Sequence, residues 1–394
     1  MMEQMSKKRI PDGWEVKPLN QILSLFGRIG FRGYNVTDLV QEGKGAITLS
    51  PSNIENGIVT FNKCTYLSWE KYKESPEIMV EEGDILLVKT GSTYGKIGYV
   101  ESLPWPSTIN PQYVVLKKFN CNSRLLAYLL EQKEFQDQIE SITSGGAIPT
   151  MSQAKIYNCT VTLPSDKDEQ SRIATALSDV DELIETLKKL IEKKRNIMQG
   201  ARQELLSGKR RLSGFTDKWA EITIGQLCKP YKGSQINKND LELSTGYPVM
   251  NGGITPSGFH HDFNEPANTI IMSEGGNSCG FVSFMKTPFW AGGHCYVLRP
   301  QEPINLDYLY HVLKYYEPSI MDLRTGSGLP NVKKSSLNDF ELSISQDKDE
   351  QLAIANVLSD MDSEITMLES RLTKYQSLKQ GMMQQLLTGK IRLI

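Results

Sequence analysis

The sequence predicts an α+β (mixed α/β) protein in which two globular domains are joined by two long helices of coiled-coil type. The whole would be an internal tandem duplication with pseudo-twofold symmetry. Three observations carry this. Residues 166–212, beginning DKDEQ, align without a gap on residues 347–393, which also begin DKDEQ, at an offset of 181 residues and with 23 identities in 47 positions. Within each copy, apolar residues recur at alternating spacings of four and three, the period of a narrow helical seam. The rest of the chain has another texture: short β-branched and aromatic runs divided by Gly, Asn, Pro and Ser.

In chain order, the opening Met1–Arg9 is polar, and no run nears the ~20 apolar residues a bilayer span needs. The expectation is a cytoplasmic protein with no membrane partner. Residues 1–165 form the first domain, with strand-like runs GDILLVK, KIGYV and QYVVLKKF and a closing helix over 123–142. Residues 166–212 are the first long helix. Its seam is Ile173, Leu177, Val180, Ile184, Leu187 and Ile191, continued by Lys194, Met198, Ala201 and Leu205. Residues 213–346 form the second domain, with runs NTIIMS, CGFVSFM and CYVLRP and a closing helix over 305–323. Residues 347–394 are the second long helix, whose seam is Ile354, Leu358, Met361, Ile365, Leu368 and Leu372. Acidic residues crowd each helix start, and Gly208 and Gly389 sit near the ends, as capping and the helix dipole favour. The duplication extends upstream, where Gly145 and Pro149 fall opposite Gly326 and Pro330. The helices stay alike while the globular parts drift, which points to two modules of one shape recognising different things.

Net charge is −2, and none of the four segments is strongly basic, which counts against a chain that grips phosphates unaided. The six cysteines form no CxxC pair and the four histidines complete no zinc spacing, so free structural thiols and no metal are expected.

Two motifs suggest catalysis and fail on detail. Asn110–Tyr113 (NPQY) approaches the Asn-Pro-Pro-Tyr signature of adenine methyltransferases, but the third residue differs and no Gly-rich turn for S-adenosylmethionine lies near it. GSTYGKI at 91–97 resembles a phosphate loop, but it has three residues between its glycines where four are required, and Ile97 stands where a Ser or Thr should hold magnesium. As a polar loop it remains a candidate DNA contact through Lys89, Thr90, Ser92, Thr93, Tyr94 and Lys96. In the second domain the candidates are Lys232 and the Gly-rich loops carrying Asn251, Ser257, His260, Ser273 and Asn277, residue types suited to base edges. Glu274 there would repel phosphates, so it makes a specific contact or none.

The two starts at Asp168–Asp181 and Asp349–Asp362 (DEQxxIAxxLSDxD) and the two ends at Leu205–Leu212 and Leu386–Leu393 (LL[ST]GKxRL) carry a resemblance that covers nearly the whole chain. With GWEVKPL at 13–19, KWAEITI at 218–224 and GDILL at 83–87, the sequence resembles the specificity (S) subunit of type I restriction-modification systems. The resemblance implies two target-recognition domains, each reading one half of a split double-stranded DNA target, with the two long helices forming an antiparallel coiled-coil pair that sets the spacer. A helix of ~40 residues spans about 60 Å. It also implies no catalytic centre and no cofactor in this chain. Two methylation (M) subunits would bring S-adenosylmethionine, and restriction (R) subunits would bring ATP and magnesium. The competing expectation is a coiled-coil scaffold that binds proteins without reading DNA.

Overall fold

The structure is a computed structural model that describes residues 10–28, 33–144, 149–326 and 328–394. Met1–Arg9 and Gly145 lie outside the described residues. The chain divides into two compact units, one containing residues up to Glu185 together with Thr373–Ile394, the other Thr186–Leu372.

In the first unit the central sheet contains strands β1 (Ser24–Phe26), β2 (Ile85–Val88), β3 (Ile97–Tyr99) and β4 (Tyr113–Lys117). They lie in the order β1-β4-β2-β3, extended at one edge by two short strands, and each pair among the four is antiparallel. Every residue of β2 and β4 is buried, because helices and a second, four-stranded sheet cover the two faces. That is why these strands read as unbroken apolar runs rather than alternating ones. The expected single helix over 123–142 is two, α1 (Ser123–Leu130) and α2 (Lys133–Ile142). The chain breaks between them at Gln132, and the Gln136 side chain donates to the Leu130 carbonyl at 2.7 Å, capping the first helix while Phe135 drops into the core.

The long helix α3 (Lys167–Leu206) begins in this unit. Asp166 caps it, accepting from the backbone N–H of Asp168 and Glu169. Gln170 donates to the Pro164 carbonyl and accepts from the Asn122 N–H, so helix, preceding strand and α1 meet at one side chain.

The second unit repeats the plan. Strands β5 (Cys228–Lys232), β6 (Thr269–Ser273), β7 (Val282–Met285) and β8 (Cys295–Pro300) lie in the order β5-β8-β6-β7, again antiparallel. The helix expected over 305–323 is α4 (Leu306–Met321). The second long helix, α5 (Lys348–Leu386), starts here under an Asp347 cap, and Gln351 repeats both bonds of Gln170, to the Ser345 carbonyl and from the Asn305 N–H.

The seam residues are buried, with Val180, Lys194, Ala201, Met361 and Leu372 half-buried. Their partners are more varied than a helix-on-helix seam. Ile173 and Leu177 share the first domain's core with Leu386 and Leu387 near the end of α5, and Ile354 and Leu358 share the second's with Leu205 and Leu206. Within each unit the helix segments run antiparallel. In the first, Glu169 meets Arg392 and Asp181 meets Lys379; in the second, Arg202 meets Asp362 and Lys194 meets Glu364. Gly208 and Gly389 both adopt positive φ at the helix ends, the left-handed cap that glycine supplies without strain. No described helix is long and apolar enough to cross a membrane.

Candidate nucleic-acid interface

The polar loop after β2 is the centre of a three-loop cluster. Lys89 leaves the strand with its N–H donated to the Gln112 carbonyl at 2.7 Å and its own carbonyl accepting from Met151 at 3.0 Å. Gly91 donates to Pro149, and Gly95 closes the loop onto Val88. Gly91 and Gly95 both have positive φ, so the two glycines that imitate a phosphate loop are there to turn the chain.

The second unit builds the same cluster at the end of β6. Glu274 donates its N–H to the His294 carbonyl and accepts from Val332, Gly276 donates to Pro330, and Gly280 closes onto Ser273. Gly276 and Gly280 again have positive φ. Strand register fixes the correspondence independently, because Tyr113 pairs with Val88 as Cys295 pairs with Ser273. Four backbone hydrogen bonds therefore recur while the side chains mounted on them change: Lys89 for Glu274, Ser92 for Asn277, Thr93 for Ser278, Gln112 for His294. The sequence carried a signal for this equivalence in the two Gly-x-x-x-Gly spacings, 91 to 95 and 276 to 280.

The expected DNA contacts separate into displayed and structural residues. Ser92 and Thr93 are exposed at one loop tip and Asn277 at the other; Ser257 is exposed on a hairpin. Lys89 is half-buried, its ammonium makes no hydrogen bond or ion pair among the described residues, and burial lowers its pKa. Lys232 is half-exposed and pairs with Glu274 at 2.6 Å.

Six others are engaged inside the protein. Thr90 bonds to Thr150, Lys96 donates to the Pro51 carbonyl, and Tyr94 packs on the first domain's core. Asn251 accepts from the His294 N–H. Ser273 is a correction: it is buried and donates to the Gly252 carbonyl at 2.5 Å, because it is the last inward-facing residue of β6. His260 is a second correction. It is buried against Trp290, and its Nδ1 accepts from the Asp262 N–H.

The Asn110–Tyr113 segment is likewise locked. The Asn110 amide bonds to Gln112, and Tyr113 is fully buried with its hydroxyl on the Ser50 carbonyl. His260, His261 and Asp262 form the one group of three metal-ligating side chains among the described residues. They are adjacent in sequence and His260 Nδ1 is already engaged, so they make a poor cage. The six cysteines are free, and burial pushes Cys228 and Cys295 up to about 12, which leaves them unreactive thiols.

Residues not expected as functional hold the helices to the domains. Glu169 is paired through both oxygens with Arg392, at 2.5 and 2.6 Å, and Glu350 with Arg211, at 2.6 and 2.8 Å. Trp219 also donates to Glu350. The repeated DEQ and KxRL motifs are thus two ends of one buried ion pair.

The profile of the type I restriction modification DNA specificity domain matches this chain twice, over residues 11–193 and 216–379. The specificity subunit of the type I restriction enzyme MjaVIII of Methanocaldococcus jannaschii is 24% identical over 431 aligned positions, covering 99% of this chain and 96% of that protein. A type I specificity subunit of Mycoplasma genitalium is 34% identical over 154 residues; that alignment spans 39% of this chain and only 40% of the relative's length. In three dimensions the chain matches the crystal structure of a type I restriction-modification S subunit from M. genitalium with a TM-score of 0.72 at 18% identity, over 97% of this chain and 98% of that one. With the family's domain found in both halves, and a relative and a solved fold aligned along the full chain, this protein belongs to the specificity subunits of type I restriction-modification systems.

Proposed function

We propose that each loop cluster is the face that reads one half of a split duplex target. In this reading residues 1–165 and 213–346 are the two target-recognition domains, and 166–212 and 347–394 are the helices that set the spacer. The observation that carries it is the recurrence of one hydrogen-bonded loop framework displaying different side chains in the two units. A framework held constant while its polar groups change is what two readers of different sequences require. The chain acts in the cytoplasm, where two methylation subunits dock on it and supply S-adenosylmethionine and adenine methylation. Restriction subunits supply ATP- and magnesium-dependent work, and this chain performs no chemistry. Its net charge of −2 means that much of the phosphate neutralisation comes from those partners.

The test maps adenine methylation across the host genome with the gene intact and deleted. Loss of one split motif on deletion supports the reading and discloses both half-sites. An unchanged map, in a strain where a methylation subunit co-purifies with this chain, overturns it in favour of a protein-binding scaffold. Inserting four residues after Leu187 and four after Leu372 should then lengthen the spacer and leave both half-sites intact.

A further inference from the structure

Glu274 occupies in the second cluster the position Lys89 holds in the first, yet it is not presented to solvent. It is 8% exposed, with Oε1 in an ion pair with Lys232 Nζ at 2.6 Å and accepting a hydrogen bond from the Tyr296 hydroxyl at 3.1 Å. Oε2 has no hydrogen-bond partner among the described residues; His294 Nδ1 stands 3.9 Å from it. The backbone is pinned on both sides, by His294 and Val332. Above this carboxylate, the Lys232 side chain is about half exposed. Its strand end is fixed too, since a Cβ at the next residue, Gly233, would lie 2.1 Å from the Ala291 carbonyl oxygen. In the first domain, strand register places Gly27 where Lys232 stands. One cluster carries its cation at the end of β2. The other carries it two strands away, at the end of β5, with a buried counter-charge.

We infer that Glu274 is a positioning residue that holds Lys232 as a fixed donor head, and that this head reads the O6/N7 acceptor pair of a guanine in the half-site of residues 213–346. The inference deepens the proposed function and rests on it. A lysine matched by a carboxylate at 2.6 Å offers little net charge to a phosphate, so its contribution to sequence-independent affinity is small. What remains is directional. An ammonium has three N–H donors; the ion pair with Glu274 fixes the head in place, and its solvent-facing donors match the two acceptors of guanine's major-groove edge.

The complex of this chain with its methylation subunit is assayed on duplexes carrying the mapped target, with each guanine of the second half-site replaced singly by 7-deazaguanine, which lacks the N7 acceptor. One guanine should prove sensitive, with methylation slowed about tenfold or more. Lys232→Met and Glu274→Gln should both abolish that sensitivity and make the motif degenerate at that base pair, leaving the first half-site unchanged. A half-site with no sensitive guanine overturns the inference, and so do assembled variants that keep the wild-type sensitivity or slow equally on every duplex. If a variant does not assemble, the deazaguanine series on the unaltered chain still decides. A complex that methylates no split target at all would instead overturn the proposed function.

Discussion

The ion pairs under the helix starts and the loop clusters at the strand ends are both duplicated features, and they have had opposite histories. Glu169–Arg392 and Glu350–Arg211 are the same pair twice, bidentate in each unit, with the arginine also bonded to a backbone carbonyl, of Asp12 in one case and of Asp217 in the other. In the clusters the backbone hydrogen bonds are the same twice, while the charge at the central position reverses, Lys89 against Glu274. A buried carboxylate gripped by a guanidinium fork tolerates no drift, because removing either partner strands a charge away from water. A side chain mounted on a self-sufficient backbone framework is free to change. The duplication has kept what the fold depends on and varied what it displays.

The largest effects should therefore fall on the ion pairs. Glu350→Ala leaves Arg211 and the Trp219 indole without their acceptor, and the second unit should lose about 3–5 kcal/mol, read by native-state hydrogen exchange of α4 and of the start of α5. Glu169→Ala should destabilise the first unit by the lower part of that range, because its carboxylate receives from Arg392 alone among the described residues. Equal losses in the two units would break the comparison.

A second difference lies where the closing helices meet the long ones. In the first unit Tyr128 donates to Asp181 at 2.7 Å, and its phenol, pushed far up by burial, does not titrate near neutrality. Its counterpart is His311, which is 1% exposed, bonded to Ser359 and beside Arg202 and Asp362. Burial, reinforced by Arg202, pushes its pKa down to about 3. Since the unfolded chain protonates this histidine near pH 6.5, it binds more protons than the folded protein between pH 6.5 and 3. Stability conferred by the neutral ring is complete above that window and is lost as pH falls through it. From pH 7 to 5 the second unit should weaken by about 2 kcal/mol on this account. The Asp362 carboxyl, raised by burial, works in the opposite direction where it titrates. The quantity to read is thus the difference in pH slope between wild type and His311→Tyr, and parallel slopes would show that the ring plays no part.

How much of this was legible in the sequence follows from the same division. The two long helices, their caps and their seams were readable because period and capping are local properties: Asp166, Asp347, Gly208 and Gly389 act where their positions in the motif suggested. The six strands singled out were readable because β2, β4, β6 and β8 are short buried apolar runs bounded by turns. The break at Gln132 was not, because it depends on Gln136 capping Leu130 across the turn. Nor were the roles of Ser273 and His260, whose residue types suit a base edge but whose hydrogen bonds go to Gly252 and Asp262. The partnership of the DEQ start with the KxRL end could not be read from one strand of sequence, since each Glu meets the Arg of the other repeat. Glu169 pairs with Arg392 and Glu350 with Arg211.

The smallest expected effect isolates a single hydrogen bond. Trp14 and Trp219 occupy corresponding places, two residues after the aspartate whose carbonyl the arginine binds. Trp219 donates its indole N–H to Glu350 at 3.0 Å, whereas the Trp14 indole nitrogen is buried with no partner among the described residues. Replacing either by Phe removes a similar volume, so both variants suffer a comparable packing loss. Trp219→Phe additionally removes a donor from a buried carboxylate, and Trp14→Phe removes only an unsatisfied one. The difference between the two variants should be about 1.5 kcal/mol, with Trp219→Phe the weaker protein by chemical denaturation followed separately in each unit. If the two lost the same amount, the indole bond to Glu350 would contribute nothing, and the two ion pairs would be energetically identical despite their different surroundings.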